Sequence, residues 1–536
     1  MCPQFDSGSC HHKFKGADPA PFYFMKYILN NIRVPVQNEQ DIPAIVCSIL
    51  KIKSDVLQNW TLVRRALDTR RKNAPLFVYT IELELDSVTV RHPDLTPYKD
   101  ITGEKPPATK LTDPHPVIIG MGPAGLFCAL AMVEHGLKPI LYDRGDNLEQ
   151  RAEAVNKFWS DGALDLESNV QFGEGGAGTF SDGKLTSRTA NASILEVYDI
   201  LIRFGAPESI RWEALPHLGT EVIRLIVQNI RNYLIEKDCA FHYRNKLNDL
   251  TIRSSVLEKI IINDIVLKPE LLVLALGNSA RDTFKMLSEN GVSLEPKPFA
   301  LGFRISHPQA WLNQLIYGNN DWAEQLGAAS YRLTASSAGK GTYTFCMCPG
   351  GFIIAATSEP NAIVTNGMSF SARDLTWGNS AIVTQVNASV YGSGLWSGME
   401  FQAKLEQAAF IDKYAAPIQR ASDYLRGTLS NDIKLPCLFP CVQSAQISDI
   451  FPAHINLALY DGLKHFDRIL PGFIKQGIII APETRTSSPI RILRDKDNLN
   501  CSGISNLYAV GEGSGYSGGI ISSAADGFRV GSIFRG

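Results

Sequence analysis

The stretch "PVIIGMGPAGLFCALAMVEHGLKPILYD", residues 116–143, constrains the fold of this chain more than any other. An apolar run of buried-strand length ends in Gly120, Gly122 and Gly125 at G-x-G-x-x-G spacing. A helix follows at once, with Leu126, Ala129, Leu130 and Val133 at i, i+3, i+4 and i+7. Gly136 predicts the helix C-cap, and a second strand, "KPILYD", ends in Asp143. Gly120 permits a tight turn, Gly122 lets the backbone approach a diphosphate, and Gly125 lets helix and strand close together. The helix N-terminus offers free N–H groups to the anion, and Asp143 can accept from a ribose hydroxyl. The unit predicts a Rossmann-like dinucleotide site.

The same glycine spacing recurs at Gly173, Gly175 and Gly178, and at Gly513, Gly515 and Gly518. The last copy lies in "NLYAVGEGSGYSGGIISSAADGFRVGSIF", a strand, a glycine turn and an apolar helix with no acidic partner after it. It reads as a helix N-terminus returning to the first site, where it can meet the far half of a long cofactor. FAD has that length and NAD does not. "KPELLVLALGNSARD" adds a buried strand ending at Gly277.

Two other motifs fail on their own chemistry. Gly178, Gly183 and Lys184 imitate a Walker A loop, but Leu185 stands where magnesium needs Ser or Thr. Gly515-Tyr516-Ser517-Gly518-Gly519 fits a nucleophile elbow, yet no histidine follows His465, so a Ser–acid–His order cannot be completed.

At 536 residues the chain predicts two or three domains. With 52 basic and 54 acidic residues its net charge is −2, which gives no field for nucleic acid or a membrane surface. Ten scattered cysteines and an N-terminus without an apolar signal region predict a reduced, cytoplasmic protein. Residues 1–20 read as a disordered tail, and its Cys2, Cys10, His11 and His12 lack the second ligand pair of a metal finger. Residues 21–95 predict a small α+β, ferredoxin-like module. Its basic cluster Arg64, Arg65, Arg70, Arg71 and Lys72 could touch RNA, but the nearby "IELELD" favours a solvated face. A linker, 96–115, leads to an FAD-binding domain at 116–300 and 480–536, with a β-rich α+β substrate domain inserted at 301–479.

The stretches "NVQFGEGGAGTFSDGKLTSR", "GFRISHPQ", "TYTFCMCPGG", "VTNGMSFSARD", "ETRTSSPIRI" and "LYAVGEGSGYSGGIISSAADG" carry a resemblance. The chain resembles an FAD-dependent dehydrogenase family found mainly in bacteria, within the flavoproteins of the glutathione-reductase type. These flavoproteins more often carry Glu where Asp143 stands, a change that preserves ribose binding. The resemblance implies cofactor contacts at Gly120, Gly122, Pro123, Ala124, Gly125, Asp143 and Arg144. It implies further contacts at Gly175, Gly176, Gly178, Thr179, Asp182 and Lys184, with Ser181 also available, and at Gly277, Gly511, Glu512, Gly518, Gly519 and Ile520. Non-covalent FAD is expected. Only one complete nucleotide fold is visible, so NAD(P)H is expected at most as a transient electron donor.

Candidates facing a small-molecule substrate are Arg304 and His307, the pair Cys346 and Cys348, Arg373, and Glu483 and Arg485. A C-x-C disulfide closes a strained ring, so pocket-lining thiols are the expected role of the pair. His307 precedes Pro308 and reads as a loop residue ahead of an acid–base group. Cys437 and Cys441 read as core.

Overall fold

Val117–Ile119, Leu272–Leu274 and Leu507–Ala509 are three-residue strands in which every side chain is buried. Such runs form when a sheet is covered on both faces. They belong to a five-stranded, wholly parallel sheet of order Leu507–Ala509, Leu272–Leu274, Val117–Ile119, Ile140–Tyr142, Ala240–His242. The computed structural model describes residues 25–38, 41–71, 74–86, 90–99, 108–186, 192–318, 321–337 and 340–536. The Cys2, Cys10, His11 and His12 tail and Lys72 lie outside the described residues.

Helix Pro123–Glu134 follows the strand Val117–Ile119, and helix Ile520–Gly531 follows Leu507–Ala509. The sequence predicts a one-sided apolar stripe on the first of these. Instead every residue from Ala124 to Met132 is buried, because the closing helix covers a second side. Small residues make that crossing close: a Cβ on Gly527 would stand 1.9 Å from the Ala124 carbonyl oxygen. Gly136 ends the first helix at φ 83°, and the Leu137 N–H returns to the Met132 carbonyl, as the C-cap reading requires.

The inserted segment builds a seven-stranded sheet of order Thr334–Ser337, Lys340–Cys348, Trp377–Val386, Phe299–Pro308, Ile478–Glu483, Ala415–Arg420, Cys441–Ser444. All pairs are antiparallel except the last. Helix Ala453–Ile469 lies across it and buries Ile455, Leu459, Leu463 and Phe466 along one stripe. A second sheet of three strands joins Thr365–Ser369, Gly351–Ala355 and Cys437–Leu438. Cys437 is half-buried and Cys441 exposed on their strands, so the core reading fails for Cys441. Both sheets lie in one compact unit, residues 69–75 and 101–536.

The other unit spans residues 1–68 and 76–100. Its strands run in the order Leu57–Asp68, Leu76–Leu85, Met25–Pro35, Leu95–Pro97, all antiparallel. Tyr79, Ile81, Leu83 and Leu85 alternate inward along one strand. Helix Ile42–Leu50, capped by the Asp41 carboxylate on the Ala44 N–H at 3.1 Å, adds Ile42, Val46 and Leu50 to the same core. A ferredoxin-like module would carry a second helix before the last strand. None occurs there among the described residues, because too few residues separate Leu85 from Leu95. No helix among the described residues is long and apolar enough to cross a membrane.

The helix crossing is testable. Gly527→Val drives a branched side chain into the Ala124 carbonyl and should cost at least about 2 kcal/mol, read as a lower urea midpoint. An unchanged midpoint would contradict this packing.

Candidate functional site

Helix Pro123–Glu134 begins after Gly122, which is extended (φ −75°, ψ −175°), and no side chain caps it. Helix Ile520–Gly531 begins after Gly519 at φ 101° and is likewise uncapped by any side chain. Both ends therefore present backbone N–H groups and the positive end of a helix dipole. The glycine loop near residue 176 touches both. A Cβ on Gly176 would lie 3.1 Å from the Gly122 Cα, and one on Gly178 would lie 3.2 Å from Ile520. Gly513 backs onto the Gly277 carbonyl, and Gly511 onto Ala124. Beside Gly277, Gly518 and Gly519, by contrast, a Cβ would meet nothing within 4 Å. Four segments distant in sequence thus meet around open space.

Asp143 stabilises this turn directly. It is buried; its Oδ2 accepts the Met121 N–H at 2.8 Å and its Oδ1 the Gly145 N–H at 2.9 Å. Each oxygen keeps a second lone pair for a ribose hydroxyl. Burial raises its pKa, although the two amides, Arg151 and Arg144 oppose that shift. Arg144 is committed to protein partners: Nε to Glu167 at 2.5 Å, and both Nη atoms to Asp282 at 2.9 and 3.0 Å. Glu512 accepts from the Asn278 amide at 3.0 Å. Burial, countered by Lys297, pushes its carboxyl up to about 7.

The glycine loop hangs on a residue that the sequence does not single out. Arg151, on helix Leu148–Asp161, is wholly buried. Its guanidinium donates to the carbonyls of Asn169 (2.8 Å), Val170 (2.9 Å), Glu174 (2.6 Å), Gly176 (3.0 Å) and Gly173 (3.3 Å), and to the Thr179 hydroxyl (3.0 Å). The Phe180 ring lies 4.9 Å away. Burial drags the guanidinium down to about 9, which still leaves it charged at neutral pH. Carbonyls that could find no partner in each other are gathered on one cation.

Beyond Thr179 the loop turns toward the inserted domain. Asp182 is wholly buried and bonds Lys184 Nζ (2.9 Å), Arg373 Nε (3.0 Å) and Ser369 Oγ. Burial works against its charge, but Lys184 and Arg373 hold its carboxyl well below the usual range. Asp182 therefore anchors two cations instead of standing open to a cofactor. Lys184 faces Cys346 and Cys348, and Arg304 faces them from the central strand with Glu483 on its Nε at 2.8 Å. Seven of the expected site residues thus converge: Asp182, Lys184, Arg304, Cys346, Cys348, Arg373 and Glu483.

His307 and Arg485 do not join them. His307 is buried among Trp311, Tyr331 and Phe473. Its Nε2 donates to the Phe473 carbonyl at 2.9 Å, which leaves Nδ1 to accept from Tyr331 at 3.4 Å. Burial lowers its pKa to about 4, so it is a neutral core residue. Arg485 pairs with buried Glu406 (2.9 and 3.1 Å), which Arg281 clamps from the other side at 3.0 Å. Against the cost of burial, Arg485 and Arg281 lower Glu406 to about 2. This ion network is a structural joint, and it removes Arg485 from the substrate-facing set.

Residues 298–486 match the family described as FAD-dependent protein, C-terminal domain-like. An uncharacterised protein of Clostridium beijerinckii is 38% identical over 519 residues, covering 94% of this chain and 97% of its own. The chain belongs to this family of FAD-dependent proteins. Among solved structures it is similar to a flavoprotein/dehydrogenase from Cytophaga hutchinsonii, at 11% identity and a TM-score of 0.32 over 80% of this chain and 76% of that one. A geranylgeranyl bacteriochlorophyll reductase-like protein from Thermoplasma acidophilum gives 11% and 0.34 over 77% and 75%. CtdE, solved in complex with FAD, gives 9% and 0.31 over 78% and 83%.

Two outcomes follow for this FAD-dependent family member. Arg151→Met orphans several buried carbonyls and should destabilise by about 3 kcal/mol or more, with new proteolytic cleavage between residues 173 and 184. Wild-type stability and an uncut loop would refute the anchor. The raised Glu512 carboxyl favours the fold while protonated, so its contribution is lost as pH rises from 4.5 toward about 7. In cofactor-free protein, Glu512→Gln should therefore gain stability over wild type at about pH 8 and gain little at about pH 5. Thermal melts at both values check the sign.

Proposed function

We propose that this chain is a flavoprotein oxidoreductase with a nucleotide fold of the glutathione-reductase type. In this reading it binds FAD without a covalent bond and serves a small-molecule substrate. The observation that supports the reading is the meeting of two uncapped helix starts, after Gly122 and Gly519, on one glycine loop. An extended dinucleotide with a central diphosphate suits two positive helix ends.

The amides after Gly122 would hold the diphosphate and Asp143 the adenosine ribose. Glu512, whose carboxyl burial raises to about 7, can exchange a hydrogen bond with a ribityl hydroxyl. The open approach beside Gly277, Gly518 and Gly519 leaves room for the far half of the cofactor. Bound FAD supplies two-electron hydride chemistry. The chain's own contribution lies in orientation and charge: Lys184 and Arg304 keep fixed cations on the substrate side, each tied to a carboxylate. A nicotinamide cofactor or another protein would supply or take the electrons in transit.

Purified protein should be yellow, with absorbance near about 450 nm and close to one FAD released per chain on denaturation. Gly122→Val should abolish that colour without unfolding the chain. A Cβ at this position stands 3.7 Å from Gly176, an ordinary contact, while the valine branches fill the diphosphate cradle. A colourless protein that takes up no added FAD would overturn the proposal.

A further inference from the structure

The thiol cluster has a chemistry of its own that needs no cofactor. Lys184 Nζ lies 2.9 Å from Asp182, 3.7 Å from Cys348 Sγ and 4.0 Å from Cys346 Sγ. Arg304, wholly buried, places Nη1 3.9 Å from Cys348 Sγ and both Nη atoms 3.3–3.4 Å from the Cys346 carbonyl. Its Nε holds Glu483, and Arg373 spans both oxygens of Asp182. Lys184, Arg304 and Arg373 therefore face only Asp182 and Glu483. Three positive charges against two negative leave an excess of one beside the thiols, with Arg304 wholly buried and Lys184 and Arg373 partly so.

The remaining neighbours do not balance it. Burial and Arg373 keep the His217 ring neutral, and burial keeps the Tyr331 phenol protonated. Glu221 and Arg224 carry opposite charges that offset each other. The two cysteines are the remaining groups beside Lys184 and Arg304 that can carry a negative charge.

The backbone agrees. Strand Lys340–Cys348 skips register against Trp377–Val386 between Phe345 and Cys348, and Cys346 adopts φ 46°. A non-glycine residue held at left-handed φ is strained, and a bulge re-aims a side chain. Arg373 shares the peculiarity at φ 50°. The result is a pair with unequal exposure: Cys346 keeps part of its surface in solvent despite close neighbours, while Cys348 is sealed. Asn379, also sealed, gives its oxygen to Arg304 and leaves its Nδ2 without a hydrogen-bond partner beside the pair.

The geometry points to Cys346 as a nucleophilic thiolate, a site for covalent capture of soft electrophiles such as an alkene conjugated to a carbonyl group. The Cys346 sulfur forms a bond to the β-carbon, and the alkene π pair moves to the α-carbon. That carbon takes a proton from water, and the hydroxide released passes to the solvent. No oxidant or reductant is required. The acidities run the same way. The neighbouring Cys348 thiol, with Lys184 and Arg304, holds Cys346 well below an ordinary thiol, while burial lifts Cys348.

The full chain can be treated with N-ethylmaleimide between about pH 5.5 and 8.5, each cysteine peptide being quantified by mass spectrometry with exposed Cys441 as internal reference. At about pH 6.5 Cys346 should react at least about tenfold faster than Cys441, with a rate nearly flat in pH, as expected of a thiol already ionised. Lys184→Met should slow Cys346 about tenfold and restore a steep pH dependence, and Lys184→Arg should keep the flat profile. Cys346 reacting no faster than Cys441, or losing about tenfold in rate per pH unit with Lys184 intact, would overturn the proposal. Should Lys184→Met fail to fold, the unmodified chain's profile decides alone.

Discussion

The guanidinium of Arg151 holds the glycine loop in the shape on which the rest of the site depends. Five carbonyls and one hydroxyl between Asn169 and Thr179 converge on it. A loop with glycines at residues 173, 175, 176 and 178 has little side-chain packing of its own and would otherwise sample many conformations. Fixed by one buried cation, it presents Gly176 to the Gly122 turn and Gly178 to Ile520, then carries Asp182 and Lys184 across to the inserted sheet. One side chain thereby couples the nucleotide fold to the thiol cluster.

The second requirement is the close crossing of the two helices. Gly527 and Gly531 let the last helix of the chain rest against Ala124 and Cys128 with almost no side chain between them. The N-terminus of each helix lacks the Ser, Thr, Asp or Asn that would ordinarily satisfy its amides, and the glycine loop touches both. Two helix starts left without caps along one loop suit an anionic ligand.

How much of this was legible in the sequence depended on distance along the chain. The strand, turn, helix and strand from Val117 to Tyr142 form where predicted, because each signal is local and each is a backbone requirement. Arg151 was not legible as an anchor, since "EQRAEAVNKF" reads as a solvated helix face. A signal was nevertheless present: Arg151 occupies the buried stripe shared with Leu148, Val155 and Phe158, where an arginine needs a reason. Cys346 and Cys348 could be named from sequence, but Lys184, 162 and 164 positions away, could not be assigned to them. His307 and Arg485 had the right chemistry for a site and the wrong surroundings. An aromatic cage neutralises one and Glu406 binds the other, and neither partner lies within reach of a local pattern.

Amide hydrogen–deuterium exchange of cofactor-free protein, before and after adding FAD, tests the central claim most directly. Residues 122–126, 173–184 and 518–522 should gain protection together, because one extended ligand would order three segments that the chain separates. Protection confined to one of them, or none at all, would contradict the convergence on which this account rests.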